Sequence, residues 1–219
     1  MLPRFLVFDL FHTLVDGADG ERDRVVGEMA EMVGVDPAAL RQAYRDTWDE
    51  RLTRWSVEET IRILAGRLGV SPADDAVARA AAHRRALARR VLDAVAPATL
   101  EALDALRVGG ARLALVSNAT SEAAEAWPAC ALAARFDVAV FSSVLGVGKP
   151  DPRIYLAAAA ALGAEPADCV YVGDGADGEL AGAAAVGMRV VRTIEHKDTD
   201  PTWPGPVIST LRDLADSPA

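Results

Sequence analysis

Five short apolar runs limit what this chain can fold into. They cover residues 5–9, 113–117, 138–141, 170–173 and 189–192, are rich in β-branched or aromatic side chains, and are bounded by Gly, Asp, Ser or Asn. Their apolarity is near-continuous rather than alternating, which suits strands covered on both faces, as in a parallel sheet. Helical patterns lie between them. Residues 97–106 place Leu100, Leu103 and Leu106 at helical spacing, and residues 152–162 place Ile154, Tyr155, Ala158 and Leu162 on one face before Gly163. Residues 121–134 are Ala-rich, with Pro128 expected to break or restart the helix. A further helix opens at Glu179 and stops near Gly187. This alternation predicts an α/β fold, a Rossmann-like parallel sheet with helices on both faces.

The alternation is interrupted once. From about residue 16 to residue 95 there is no strong strand signal, only helical patterns at 22–33, 37–54, 57–68 and 76–95. Gly34-Val35-Asp36-Pro37 and Gly69-Val70-Ser71-Pro72 read as turns with a helix start just after each. The expected organisation is a core made of residues 1–15 and 96–219, with an inserted α-helical subdomain at 16–95. The stretch 198–206, rich in Asp, Thr and Pro, reads as loop, followed by a short closing helix near 211–215.

The 219 residues suit one domain with an insertion. Hydrophobic residues make up 51% and charged residues 25%, enough for a packed core. A formal net charge of −9 argues against general nucleic-acid binding and against a polybasic membrane-surface role. It does not exclude a small anionic substrate, because a local field can oppose the net charge. Two cysteines, Cys130 and Cys169, cannot build a disulfide framework, and three scattered histidines do not suggest a histidine metal cluster. No run approaches the roughly 18 apolar residues of a membrane span. The first apolar stretch is too short for a secretory signal, so a cytoplasmic setting is expected.

Four motifs carry candidate chemistry, each at the C-terminal end of a predicted strand, where open α/β sheets bind ligands. Asp9 ends the first strand and Thr13 follows at +4; Asp9 is either a nucleophile or metal ligand, or a turn cap. Ser117-Asn118 could hold phosphoryl oxygens, or form an ordinary turn. Lys149 lies in Gly148-Lys149-Pro150-Asp151-Pro152, and is one of two lysines against 21 arginines, so a basic residue placed by chance would be Arg. Its compact ammonium can neutralise clustered carboxylates. Gly173-Asp174 ends another strand and Glu179 follows at a helix start; two acids with glycines between them suit a hard cation such as Mg²⁺, although acids also favour a first helical turn.

Together and in this order, these motifs resemble the haloacid dehalogenase superfamily, down to the phrases Gly-Lys-Pro-Asp-Pro and Ala-Gly-Ala. The resemblance covers residues 1–14 and about 96–195, and the inserted helices resemble that superfamily's cap. It implies a hydrolase in which Asp9 is the nucleophile. It also implies Mg²⁺ held by Asp9, Asp174 and the backbone carbonyl of Phe11, with Glu179 as the last motif's second acid. Ser117 would hydrogen-bond the phosphoryl group and Lys149 would orient the nucleophile. The superfamily's phosphatases carry a second Asp two residues after the nucleophile, as general acid and base; here that residue is Phe11. General acid–base help is typically worth about 10²–10⁴-fold, so ordinary alkyl phosphates should be poor substrates unless His12 or a cap residue donates the proton. An aromatic residue at this place also resembles the dehalogenase branch, which attacks carbon without a metal. The expected activity is Mg²⁺-dependent hydrolysis of a small phosphorylated metabolite. The alternatives are a dehalogenase of a small 2-haloacid, and a weakly active or non-catalytic metabolite-binding protein. Arg51 and Arg54, between Trp48 and Trp55, are the candidate substrate contacts from the cap, along with Asn118 from the core; packing between Arg and Trp is the competing explanation for the cap pair. The basic run His83-Arg84-Arg85 and Arg89-Arg90 reads as a solvated helix face, and a monomer or homodimer is expected.

Overall fold

β1 (Phe5–Phe8) has all four residues buried. Leu6 and Phe8 face one side of the sheet, and Phe5 and Val7 the other, as the strand period of two requires. The computed structural model describes residues 3–216. β1 pairs in parallel with β2 (Arg112–Ser117) on one flank and β4 (Cys169–Gly173) on the other. β3 (Val138–Phe141), β5 (Arg189–Thr193) and β6 (Val207–Ile208) complete a six-stranded parallel sheet in the order β3-β2-β1-β4-β5-β6. The five predicted runs are all strands. β6 was not foreseen, because two residues cannot display a period.

Between β1 and β2 run α1 (Asp19–Val33), α2 (Pro37–Asp46), α3 (Trp48–Thr53), α4 (Val57–Arg67), α5 (Asp74–Asp93) and α6 (Pro97–Val108). The expected single helix over 37–54 is two helices. Thr47 breaks it, with φ −118° and its hydroxyl donating to the Ala43 carbonyl at 2.7 Å. Such a bond back to the preceding turn bends a helix. The bend matters because Trp48 and Arg51 lie beyond it.

After β2 come α7 (Ser121–Ala126), α8 (Ser142–Leu145), α9 (Pro152–Leu162), α10 (Glu179–Ala185) and α11 (Asp213–Asp216). The Ala-rich stretch stops being α-helical at Trp127 and continues as short 3₁₀ turns, as Pro128 predicts. α9 and α10 cover one face of the sheet, through Ile154, Tyr155, Leu162 and Leu180 against Val7, Val116 and Tyr171. The other face continues without a break from Leu6, Phe8 and Leu115 through Leu103 of α6 into the inserted helices.

The inserted helices dock on the core through α5, which corrects the reading of Arg84 and Arg85 as part of a solvated face, while Arg89 and Arg90 are exposed as expected. Arg84 is buried and donates from Nε to Glu122 of α7 at 2.7 Å. Arg85 reaches Glu125 of α7 and Glu58 of α4, both at 2.6 Å. The run looked solvated because its acidic partners are distant in sequence, 40 residues away for Arg85 and Glu125.

Candidate active site

β1, β2 and β4 are neighbours in the sheet, so the residues ending them converge. Asp9 follows β1, and its backbone N–H donates to the Val172 carbonyl of β4 at 2.9 Å. Ser117 ends β2, and Asp174 follows Gly173 at the end of β4. All three are buried. The sheet order reverses direction between β1 and β4, the position where doubly wound sheets open a crevice.

Lys149 enters this crevice from the loop before α9. Its Nζ lies 2.5 Å from Asp9 Oδ1, 2.5 Å from Glu179 Oε2 and 3.2 Å from the Tyr171 hydroxyl. Three ammonium hydrogens therefore meet three acceptors. Glu179 also accepts from the Tyr171 hydroxyl at 2.7 Å and, through Oε1, from the Gly175 N–H at 3.0 Å. A Cβ on Gly173 would collide with that carboxylate, so the strand ends in Gly. Asn118 fixes the lysine loop. Its Oδ1 accepts from the Lys149 N–H at 2.7 Å, and its Nδ2 donates to the Lys149 carbonyl at 3.0 Å and to Asp177 at 2.9 Å.

Burial pushes the Asp9, Asp174 and Glu179 carboxyls above the ordinary carboxylate range, and mutual repulsion adds to it. Burial alone would lower Lys149, but Asp9 and Glu179 outweigh it and hold the ammonium charged. Asp9, Asp174 and Glu179 each offer an oxygen within 4.8 Å of the others. Three carboxylates thus cluster around a point served by one ammonium, which pairs with Asp9 and Glu179, and a divalent cation fits the remaining deficit of positive charge. Nearby, the buried Ser117 and Thr13 hydroxyls have no hydrogen-bond partner among the described residues. Buried hydroxyls rarely go unpaired, so donors of this kind suit an oxygen-rich ligand.

Residues 3–187 match the family of haloacid dehalogenase-like hydrolases. The chain belongs to that family. Among curated proteins, this hydrolase is 43% identical over 65 residues to the glyceraldehyde 3-phosphate phosphatase of Methanopyrus kandleri, a stretch that takes in 30% of this chain and 28% of that protein. It is 29% identical over 220 residues to phosphoglycolate phosphatase 1 of Pseudomonas aeruginosa, covering 97% of this chain and 79% of the relative. In fold it is similar to a 2-haloacid dehalogenase of Pseudomonas syringae, with a TM-score of 0.71 and 22% identity over 97% of that chain and 99% of this one.

The predicted core residues Asp9, Ser117, Asn118, Lys149, Asp174 and Glu179 meet at this one edge, with two changes of emphasis. Asn118 spends its side chain on the lysine loop and Asp177. Glu179 spends both oxygens on Lys149, Tyr171 and Gly175. A cavity of about 210 Å³ opens over Asp9, lined also by Phe11, Arg22, Trp48 and Lys197. Arg51 is buried against Trp48 and Tyr44, whereas Arg54 is exposed at the end of α3 and lines none of the cavities near the site. His12 adopts a positive φ of 62° and turns its ring to the Gly17 N–H and, at 3.5 Å, to Asp19.

Sequence reasoning missed Thr199, Asp177, Lys197 and Arg22. The Thr199 hydroxyl donates to Asp174 from a stretch read as loop. Lys197 pairs with Asp19 at 2.9 Å beside the cavity; the scarcity of lysine that singled out Lys149 applied equally to it. Arg22 gave no signal, being one of many helical arginines.

Proposed function

We propose that this hydrolase removes the phosphoryl group from small phosphorylated molecules, with Asp9 as nucleophile and Mg²⁺ held by Asp9, Asp174 and the Phe11 backbone carbonyl. One observation carries the reading: three buried carboxylates cluster where one ammonium pairs with only two of them, Asp9 and Glu179. A site that attacked carbon without a metal would leave that repulsion standing. Bound Mg²⁺ would supply the missing positive charge and neutralise phosphoryl oxygens.

The chain's own residues do the rest. Lys149 holds Asp9 Oδ1, which leaves Oδ2 to attack phosphorus. The new O–P bond forms as the bond to the leaving oxygen breaks, giving an aspartyl phosphate. Water then attacks that phosphorus, releasing inorganic phosphate and restoring the Asp9 carboxylate. Ser117 and Thr13 would donate to the phosphoryl oxygens. Glu179 positions Lys149, and the inserted helices, residues 16–95, act as the cap that selects the substrate. Phe11 cannot protonate the departing oxygen, so acyl and aryl phosphates should turn over faster than alkyl phosphates. A cytoplasmic setting belongs to this reading and agrees with two free buried thiols.

Dehalogenation of a 2-haloacid is the second reading, favoured by the aromatic Phe11. One experiment separates the two. Phosphate release is measured from acyl, aryl and alkyl phosphates with and without Mg²⁺, beside halide release from 2-haloacids in EDTA, with Asp9→Asn as the blank. Mg²⁺-dependent phosphate release lost in the variant is the expected result; halide release in EDTA without phosphate release would replace this reading with the second.

A further inference from the structure

Phe11 carries a cation instead of an acid. The guanidinium of Arg22, from α1, lies 4.3 Å from the centre of its ring. Among the described residues Arg22 has no carboxylate within ion-pairing distance. Burial, reinforced by Arg84 nearby, pushes it down to about 10, against the weaker opposing pull of Asp19 and Glu122.

Arg22 and Trp48 form a shared wall. They line the cavity over Asp9 and also a neighbouring cavity of about 480 Å³. Around that second cavity stand five arginines: Arg22, Arg41, Arg45, Arg51 and Arg84. Among the described residues two carboxylates line it, Asp19 and Asp23, and Asp19 is already engaged by Lys197. Glu122 is committed to Arg84 and to the Thr120 hydroxyl. Arg51 is 5% exposed, and among the described residues its guanidinium donates only to the Tyr44 carbonyl, at 3.2 Å from Nε and 2.6 Å from Nη2. A guanidinium has five N–H donors, so most of this one's capacity is unused. In a chain of net charge −9, this concentration of arginine is a local reversal of sign.

We infer that Arg22, seated on Phe11 and backed by Arg51 and Arg84, is a specificity-determining anion subsite, and that the substrates are small phosphates whose non-transferred end bears a second anionic group. The inference rests on the phosphohydrolase reading of the same site and narrows it. Arginine pairs with carboxylate and phosphate alike through its planar fork, so either serves as the second anion. The ring of Phe11 gives Arg22 a platform that an Asp at that position would replace with a competing carboxylate.

The test compares matched substrates of two to four carbons: alkyl phosphates, ω-carboxyalkyl phosphates and alkanediol bisphosphates. For the wild type, kcat/KM should favour at least one doubly anionic series over the alkyl series by tenfold or more. The better of the two identifies the second anion. Arg22→Gln should bring the ratio close to one, with Arg22→Lys in between. In parallel, the same compounds are added to Asp9→Asn, and the shift in melting temperature is read as binding without turnover. Equal turnover and equal binding of all series by the wild type would overturn the inference and leave the hydrolase reading intact. A preference that survives in Arg22→Gln would overturn it too. If no phosphate is released but the doubly anionic compounds alone raise the melting temperature, the subsite stands and the phosphohydrolase reading fails. The wild-type comparison needs no variant, so a poorly folding Arg22→Gln does not spoil the test.

Discussion

Glu179 anchors Lys149 as well as belonging to the acidic cluster. It accepts from the ammonium and from Tyr171 on one oxygen, and from the Gly175 N–H on the other. Glu179→Gln keeps the shape but removes the charge that keeps Lys149 in place beside Asp9. Because small misplacements of reacting groups cost on the order of a hundredfold, kcat should fall by about that much with KM little changed. Steady-state kinetics check this, and a melting curve confirms that the fold survives. A variant with wild-type kcat would mean that Asp9 alone positions the lysine. The same carboxylate shows where reading by residue type falls short. Its place at a helix start after Gly-Asp is visible in the sequence, but its pairing with a lysine 30 residues away, and with a tyrosine on the adjacent strand, exists only after the sheet is assembled.

Elements were legible to the extent that their patterns are local. The five main strands and the starts of α2, α4 and α9 follow from apolar runs and caps. Ser56 makes a complete capping box with Glu59, and Asp36 accepts from the Ala39 N–H. Ser56→Ala should lower stability by about 1 kcal/mol, read from denaturant midpoints at unchanged slope. The break at Thr47 was invisible because threonine inside a helix is ordinary and only its hydroxyl's choice of acceptor bends the chain. The joint between α5 and α7 was misread for a different reason: a buried arginine and an exposed one look alike in sequence. That joint makes a pH prediction. Burial works against the Glu122 carboxylate, but Arg84 and the Thr120 hydroxyl prevail and hold it below its ordinary value of 4.5. Its contribution is therefore complete above pH 4.5 and disappears as pH falls through the lower folded-state value. Glu122→Gln should cost about 3 kcal/mol at neutral pH, because it strands a buried guanidinium. The gap between variant and wild type should narrow below pH 4.5. A gap independent of pH would assign the loss to packing instead.

For the molecule as a whole, the main electrostatic fact is a division of charge. An acidic chain buries three carboxylates at one sheet edge and gathers arginines under its inserted helices. Among the described residues no helix is long and apolar enough to cross a membrane. A cation that binds the folded state but not the unfolded chain stabilises it by mass action, about 2.7 kcal/mol at a hundred times its Kd. Mg²⁺ should accordingly raise the melting temperature of the wild type, and Asp174→Ala should abolish most of the rise. An equal rise in that variant would place the cation elsewhere.

The central position of β1 has a consequence in time. One flank of the strand that precedes Asp9 is filled only by β4, which ends at Gly173, and Thr199, whose hydroxyl donates to Asp174, is 190 residues further along than Asp9. At about 5–20 residues per second, a ribosome needs roughly 10–40 s to cover that distance. Until β4 has been made, the strand before Asp9 waits, apolar and at most half-partnered. The cluster of Asp9, Asp174 and Glu179 thus cannot close until 170 residues beyond Asp9 have been made.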